Sequence, residues 1–202
     1  MDCFPLDVQP PSRHQCLIYE GAPSRQMPAL AVMMQTMLGA NYRCLYLNSP
    51  AMVAGMSSYL AAQGIDVAHE VAKGSLLLSS DQSHLADGSF DVDEMIGNLE
   101  DAVVQALTDD YKGLWATGDM LWEFGAERNF SKLLRYERQL EELFRRRPQI
   151  HGICQYHGDL LPREILCQSL LTHRAVFINE TLSRINPHYV ETDSIFDEAL
   201  IS

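Results

Sequence analysis

Short apolar runs of five to seven residues alternate with longer stretches of helical spacing along most of the chain, and that rhythm admits few folds. Runs apolar on both faces, each followed by a helix, are the pattern of βαβ units around a mainly parallel sheet. The strands are expected at Cys16 to Glu20, Arg43 to Asn48, Ser75 to Ser80, Gly113 to Thr117, Ile150 to Tyr156 and Ala175 to Asn179, with a short edge strand beginning at Gly64 to Val67. The helices are expected from Pro28 to Leu38, from the Ser49-Pro50 cap to Gly64, after Asp91 or Asp93, from Phe130 to Arg147, and from Pro162 to Leu171. Proline in a first turn and Ser or Asp before it are helix starts, and Pro148 is a stop. In the fourth helix Phe130, Leu133, Leu134, Leu140, Leu143 and Phe144 share one face. The expectation is one three-layer α/β domain over residues 13–190, with a Pro-rich peripheral segment at 1–12 and an acidic tail at 191–202.

Charge narrows the function. The net charge is −12, with 27 acidic residues against 15 Lys and Arg, the wrong sign for a surface that tracks phosphates, so nucleic acid is excluded as the main partner. The one basic cluster, Arg145-Arg146-Arg147, ends a helix, where cations suit the dipole. No apolar stretch approaches the roughly 20 residues of a bilayer span, and the start lacks a signal peptide's charged and apolar regions. Five cysteines, three of them in apolar runs, read as reduced thiols of a cytoplasmic protein.

A RecA-like ATPase would follow its first strand with GxxxxGK[ST], whose backbone N–H groups cradle phosphates. Here the stretch is Glu20-Gly21-Ala22-Pro23-Ser24-Arg25-Gln26-Met27-Pro28, with one Gly, no Lys and two prolines that carry no N–H. Arg25 is the remaining anion-binding candidate, at the start of the next helix. Asp119, just past a strand, stands where such an enzyme holds Mg²⁺.

His14 and Cys16 face one way if the first strand reaches back to His14, and Cys154 and Tyr156 do the same on theirs. In a RecA-like sheet the first and fifth major strands are neighbours, which brings these pairs together toward the ligand-binding rim. His14, Cys16 and Cys154 are then a metal-ligating alternative, although their spacing matches no standard zinc module. There is no GxSxG, HExxH or GxGxxG motif, so no enzymatic activity and no cofactor is expected.

Arg13-His14-Gln15-Cys16-Leu17-Ile18-Tyr19-Glu20 resembles the opening HxCxxY motif of the MEDS family, the methanogen/methylotroph DcmR sensory domain. Gly118-Asp119-Met120-Leu121-Trp122 looks like its G-E-M-x-W segment with Asp for Glu, and Cys154-Gln155-Tyr156 like its C-x-Y. Leu171-Thr172-His173 and Asn186-Pro187-His188-Tyr189 resemble its closing pieces, while His157 stands where the family often has Asp. The resemblance implies a RecA/KaiC-like fold with a degenerate phosphate loop. It also implies a non-catalytic prokaryotic sensory role, for small hydrocarbon-related ligands. The expected ligand site comprises His14, Cys16, Tyr19, Glu20, Arg25, Asp119, Trp122, Cys154, Tyr156 and His173. No kinase or DNA-binding segment accompanies the domain, so its output is expected through a signalling protein partner or its own assembly. Two alternatives stand beside this: a nucleotide switch using Arg25 and Asp119, and a His/Cys metal or redox sensor.

Overall fold

The protein is described by a computed structural model covering residues 13–80, 85–86, 89–121, 130–178 and 182–185. In chain order the elements are β1 (His14–Tyr19), α1 (Met27–Gly39), β2 (Arg43–Asn48), α2 (Pro50–Ala62), α3 (Val67–Lys73) and β3 (Leu76–Ser80). A two-strand hairpin, β4 (Leu85–Ala86) and β5 (Ser89–Phe90), precedes α4 (Val92–Thr108) and β6 (Leu114–Asp119). Then come α5 (Phe130–Arg146), β7 (Ile150–His157), α6 (Arg163–Thr172), β8 (Ala175–Ile178) and β9 (Leu182–Ile185). The main sheet runs β3-β2-β6-β7-β1-β8-β9. Its first six strands are parallel and β9 is antiparallel to β8. This is the expected α/β fold, with helices on both faces.

Local chemistry accounts for the element ends. Pro28 and Pro50 lie in first turns, and the Asp91 carboxylate accepts the Glu94 N–H at 3.0 Å to open α4. Gly64 to Val67, expected as an edge strand, forms none: the segment joins α2 to α3. Gly64 takes φ +87° just after α2, and the Asp66 carboxylate accepts the His69 N–H at 3.0 Å, so a helix starts there instead. Ser49 holds the cap position of α2 without a side-chain hydrogen bond.

The sheet separates two cores. On one side Leu30 and Met34 of α1 and Met56 and Leu60 of α2 cover Leu17, Cys44, Trp115 and Ile153. On the other, Leu99 and Val103 of α4 and Leu133, Leu140, Leu143 and Phe144 of α5 cover Cys16, Leu114, Cys154 and Tyr156. Alternation along β1 therefore sends Cys16 toward α5 and Leu17 toward α1.

At Gly152 of β7 the α5 layer lies tight against the sheet. A Cβ there would meet the Ala116 carbonyl oxygen at 2.7 Å and the Phe144 ring at 3.0 Å. Backbone cannot yield as a side-chain tip can, so Gly152→Ala should destabilise the fold by about 1–3 kcal/mol, the usual range for overpacking. The urea midpoint measures it, and an unchanged midpoint would mean that the layers slide apart freely.

Candidate functional site

Beneath α5 the sheet carries a group of buried polar side chains. β1 lies between β7 and β8, with His14 level with Gly152, Cys16 with Cys154, Ile18 with Tyr156, and Gln15 with Ala175. The bare Gly152 leaves room for Phe144, whose ring stacks on the His14 imidazole with centroids 4.6 Å apart. α5 lowers Glu137 and Glu141, one turn apart, onto the same region. α6 ends so that His173 stands just before β8, its ring centroid 4.0 Å from that of His14.

His14 is tied on both nitrogens. Its Nδ1 lies 2.8 Å from Glu141 Oε2, and its Nε2 lies 3.4 Å from Cys154 Sγ and 3.6 Å from Glu137 Oε2. His173 directs Nδ1 at the Ser169 carbonyl oxygen at 2.6 Å, and its Nε2 lies 3.4 Å from Glu137 Oε2. A carbonyl oxygen only accepts, so Nδ1 of His173 is the protonated nitrogen. The Tyr156 hydroxyl donates to Glu137 Oε1. One donor atom each from His14, Glu137, Cys154 and His173 falls within 4.8 Å of the others, and all four residues are buried. Cys16 shares this face, beside Cys154, but is not one of the four.

Burial sets the electrostatics. It raises the Glu137 carboxyl, against the opposing pull of His14, the Tyr156 hydroxyl and the Cys154 thiol. It holds His173 well below the usual histidine value, helped by His14, and pushes up both the Cys16 thiol and the Tyr156 phenol, helped in each case by Glu137.

A second polar network occupies the opposite face at the carboxyl ends of the strands. Tyr19, Asn48, Asp119 and His157 are the last residues of β1, β2, β6 and β7. The Tyr19 hydroxyl donates to Asp119 Oδ2 at 2.5 Å and the Leu121 N–H to Oδ1 at 3.0 Å, so both carboxylate oxygens are engaged. Gln155 donates to Thr117 Oγ1 at 2.9 Å, and the His157 ring lies 4.7 Å from that of Tyr19. In the loop from β1 to α1, the Gly21 N–H donates to Asp159 Oδ2 at 2.8 Å, so a carboxylate of the protein holds an amide of that loop. Glu20 and Arg25 are exposed.

The residues expected to share one rim thus divide. His14, Cys16, Cys154, Tyr156 and His173 meet in the interior under α5, and Tyr19 and Asp119 meet on the other face. Glu20 and Arg25 sit on the outer loop, and Trp122 lies outside the described residues. The partners that sequence reading missed are Glu137 and Glu141. Their signal was present: they stand four and eight residues beyond Leu133, inside the apolar stripe of α5.

Between the sheet and the α4 and α5 layer lies an apolar cavity of about 40 Å³, lined among others by Leu47, Leu99, Met120, Leu140, Phe144 and Cys154. At about 10–15 Å³ per water-sized occupant, it holds roughly three such groups. Cys154 and Phe144 belong both to its wall and to the polar group.

The sequence profile of the MEDS family, "MEthanogen/methylotroph, DcmR Sensory domain", matches residues 13–174. The chain belongs to the MEDS family. The match takes in His14, Glu137, Cys154 and His173, while Asn186 to Tyr189 fall beyond it and outside the described residues. Among solved structures, the flagellar accessory protein FlaH from Methanocaldococcus jannaschii resembles this MEDS chain with a TM-score of 0.59 at 12% identity, over 83% of this chain and 71% of that one. The likeness supports the RecA/KaiC-like fold. No curated protein matches.

Burial raises the Asp119 carboxyl above its ordinary 3.8, only partly offset by Tyr19, Leu121, His157 and Asn48. A raised carboxyl holds its proton more tightly folded than unfolded, so its contribution is full below about pH 4 and is lost as pH rises through the folded value. Asp119→Asn should therefore lose less unfolding free energy than the parent between about pH 4 and pH 7. Parallel urea-derived curves for the two proteins would contradict this. Tyr19→Phe, which takes a donor from a buried carboxylate, should destabilise by about 1–3 kcal/mol at neutral pH.

Proposed function

We propose that this MEDS chain is a non-catalytic sensor that admits a small, largely apolar molecule to the cavity beside Cys154 and signals through a protein partner. The cavity carries the reading: it is apolar, lies between the sheet and the α4 and α5 layer, and is sized for a few heavy atoms. The family's sensory character supports the role, and the rim supports the absence of catalysis. There Asp119 has both oxygens engaged, and Asp159 holds the Gly21 amide. Among the described residues no helix is long and apolar enough to cross a membrane, and Cys16, Cys44, Cys154 and Cys167 form no disulfide, which accords with a cytoplasmic setting.

Xenon is a suitable probe, because apolar protein cavities take it up. Hyperpolarised ¹²⁹Xe spectra should show a bound environment in the parent protein that Ala116→Val, which thickens the cavity wall, removes. A bound signal unaffected by Ala116→Val, or none in the parent, would defeat the cavity reading. The rim makes a separate prediction. Mg-ATP at millimolar concentration should leave the melting temperature unchanged, whereas a nucleotide at 100 times its Kd would add about 2.7 kcal/mol.

A further inference from the structure

We propose that His14, Glu137, Cys154 and His173 form a tetrahedral site for a divalent metal ion of zinc chemistry, enclosed under α5. Two imidazoles, one thiolate and one carboxylate are a donor set that Zn²⁺ accepts. With metal–nitrogen and metal–oxygen bonds of about 2.0–2.2 Å and a metal–sulfur bond of about 2.3 Å, tetrahedral ligand–ligand edges come to roughly 3.3–3.6 Å. Three edges already have that length: His14 Nε2 to Cys154 Sγ at 3.4 Å, His14 Nε2 to Glu137 Oε2 at 3.6 Å, and His173 Nε2 to Glu137 Oε2 at 3.4 Å. The donor atoms as a set lie no farther apart than 4.8 Å, a spread that small side-chain torsions close.

The surrounding groups are those a metal site needs. Metal-binding histidines usually give their other nitrogen to a carboxylate or a backbone carbonyl, which fixes the tautomer and aims the lone pair. Here His14 turns Nδ1 to Glu141 at 2.8 Å and His173 turns Nδ1 to the Ser169 carbonyl at 2.6 Å, so both Nε2 atoms face inward. Tyr156 donates to the outer oxygen of Glu137. The inner oxygen, Oε2, accepts no hydrogen bond although Glu137 is only 1% exposed. A buried carboxylate oxygen in that condition is costly, and a cation beside it removes the cost.

Charge balance agrees. The Cys154 thiol releases its proton on binding, so its thiolate and the Glu137 carboxylate balance a divalent ion, while the Glu141 carboxylate stands outside them against His14. With His14 at 3%, Glu137 at 1%, Cys154 at 4% and His173 at 0% exposure, the ion enters as α5 and α6 close over the sheet. Loading therefore accompanies folding. The inference does not rest on the cavity, although Cys154 and Phe144 border both.

Cobalt(II) tests this, because its visible spectrum reports geometry and its near-ultraviolet spectrum reports thiolate ligation. The full chain, refolded from denaturant with Co²⁺, should hold one ion per chain, with the intense visible bands of a tetrahedral site and a thiolate-to-cobalt charge-transfer band. Zn²⁺ should displace the cobalt and abolish both. Cys154→Ser should lose the charge-transfer band, whereas Cys167→Ser, altered at an exposed thiol of α6, should keep it. Glu141→Gln, a positioning change, should weaken affinity roughly ten- to hundredfold. The proposal fails if the unaltered chain shows no charge-transfer band or only weak octahedral bands, a result that needs no variant to fold. It fails equally if the band survives Cys154→Ser and vanishes in Cys16→Ser.

Discussion

A carboxylate in the interior of a layered α/β domain must be answered by its surroundings, and the layer under α5 is arranged around that need. Glu137 lies in the stripe of its helix that otherwise carries Leu133, Leu140 and Phe144. Water cannot reach it, so its neighbours are a phenol, a thiol and two imidazoles, drawn from β7, β1 and the end of α6. These elements lie far apart in the chain, and the register of β1 between β7 and β8 is what assembles them. A one-residue slip of β1 would turn His14 toward α1 and leave Glu137 facing apolar side chains.

The opposite face solves a similar problem by a different route. Asp119 is also buried, but it satisfies itself within a short reach, from the hydroxyl of Tyr19 and the backbone of Leu121. One network is closed by hydrogen bonds between neighbours at the strand ends. The other leaves Oε2 of Glu137 without a hydrogen bond.

Much of the architecture was legible in the sequence. Apolar runs, prolines in first turns and acidic caps located the main strands and helices, because each is decided by a few adjacent residues. Gly64 to Val67 misled because its apolar residues alternate, while the deciding contact is a single carboxylate-to-amide bond from Asp66. The site was harder to read. Tyr19 and Tyr156 both lie near strand ends, yet Tyr156 is level with Ile18, so the two tyrosines face opposite ways. That offset is a property of strand pairing and leaves no mark in either strand alone. Glu137 is hard to place from sequence because charged residues on an amphipathic helix ordinarily face solvent. Only its spacing from Leu133 places it inward.

Gly152 has a further consequence. Without a side chain there, the edge of Phe144 rests against the sheet, and this one ring is a party wall: the cavity lies along it, and it stacks on the imidazole of His14. In a close-packed interior such a ring has no third place to go. Any occupant that presses on Phe144 must also alter the environment of His14, so the apolar and polar compartments of the domain share one side chain as their boundary.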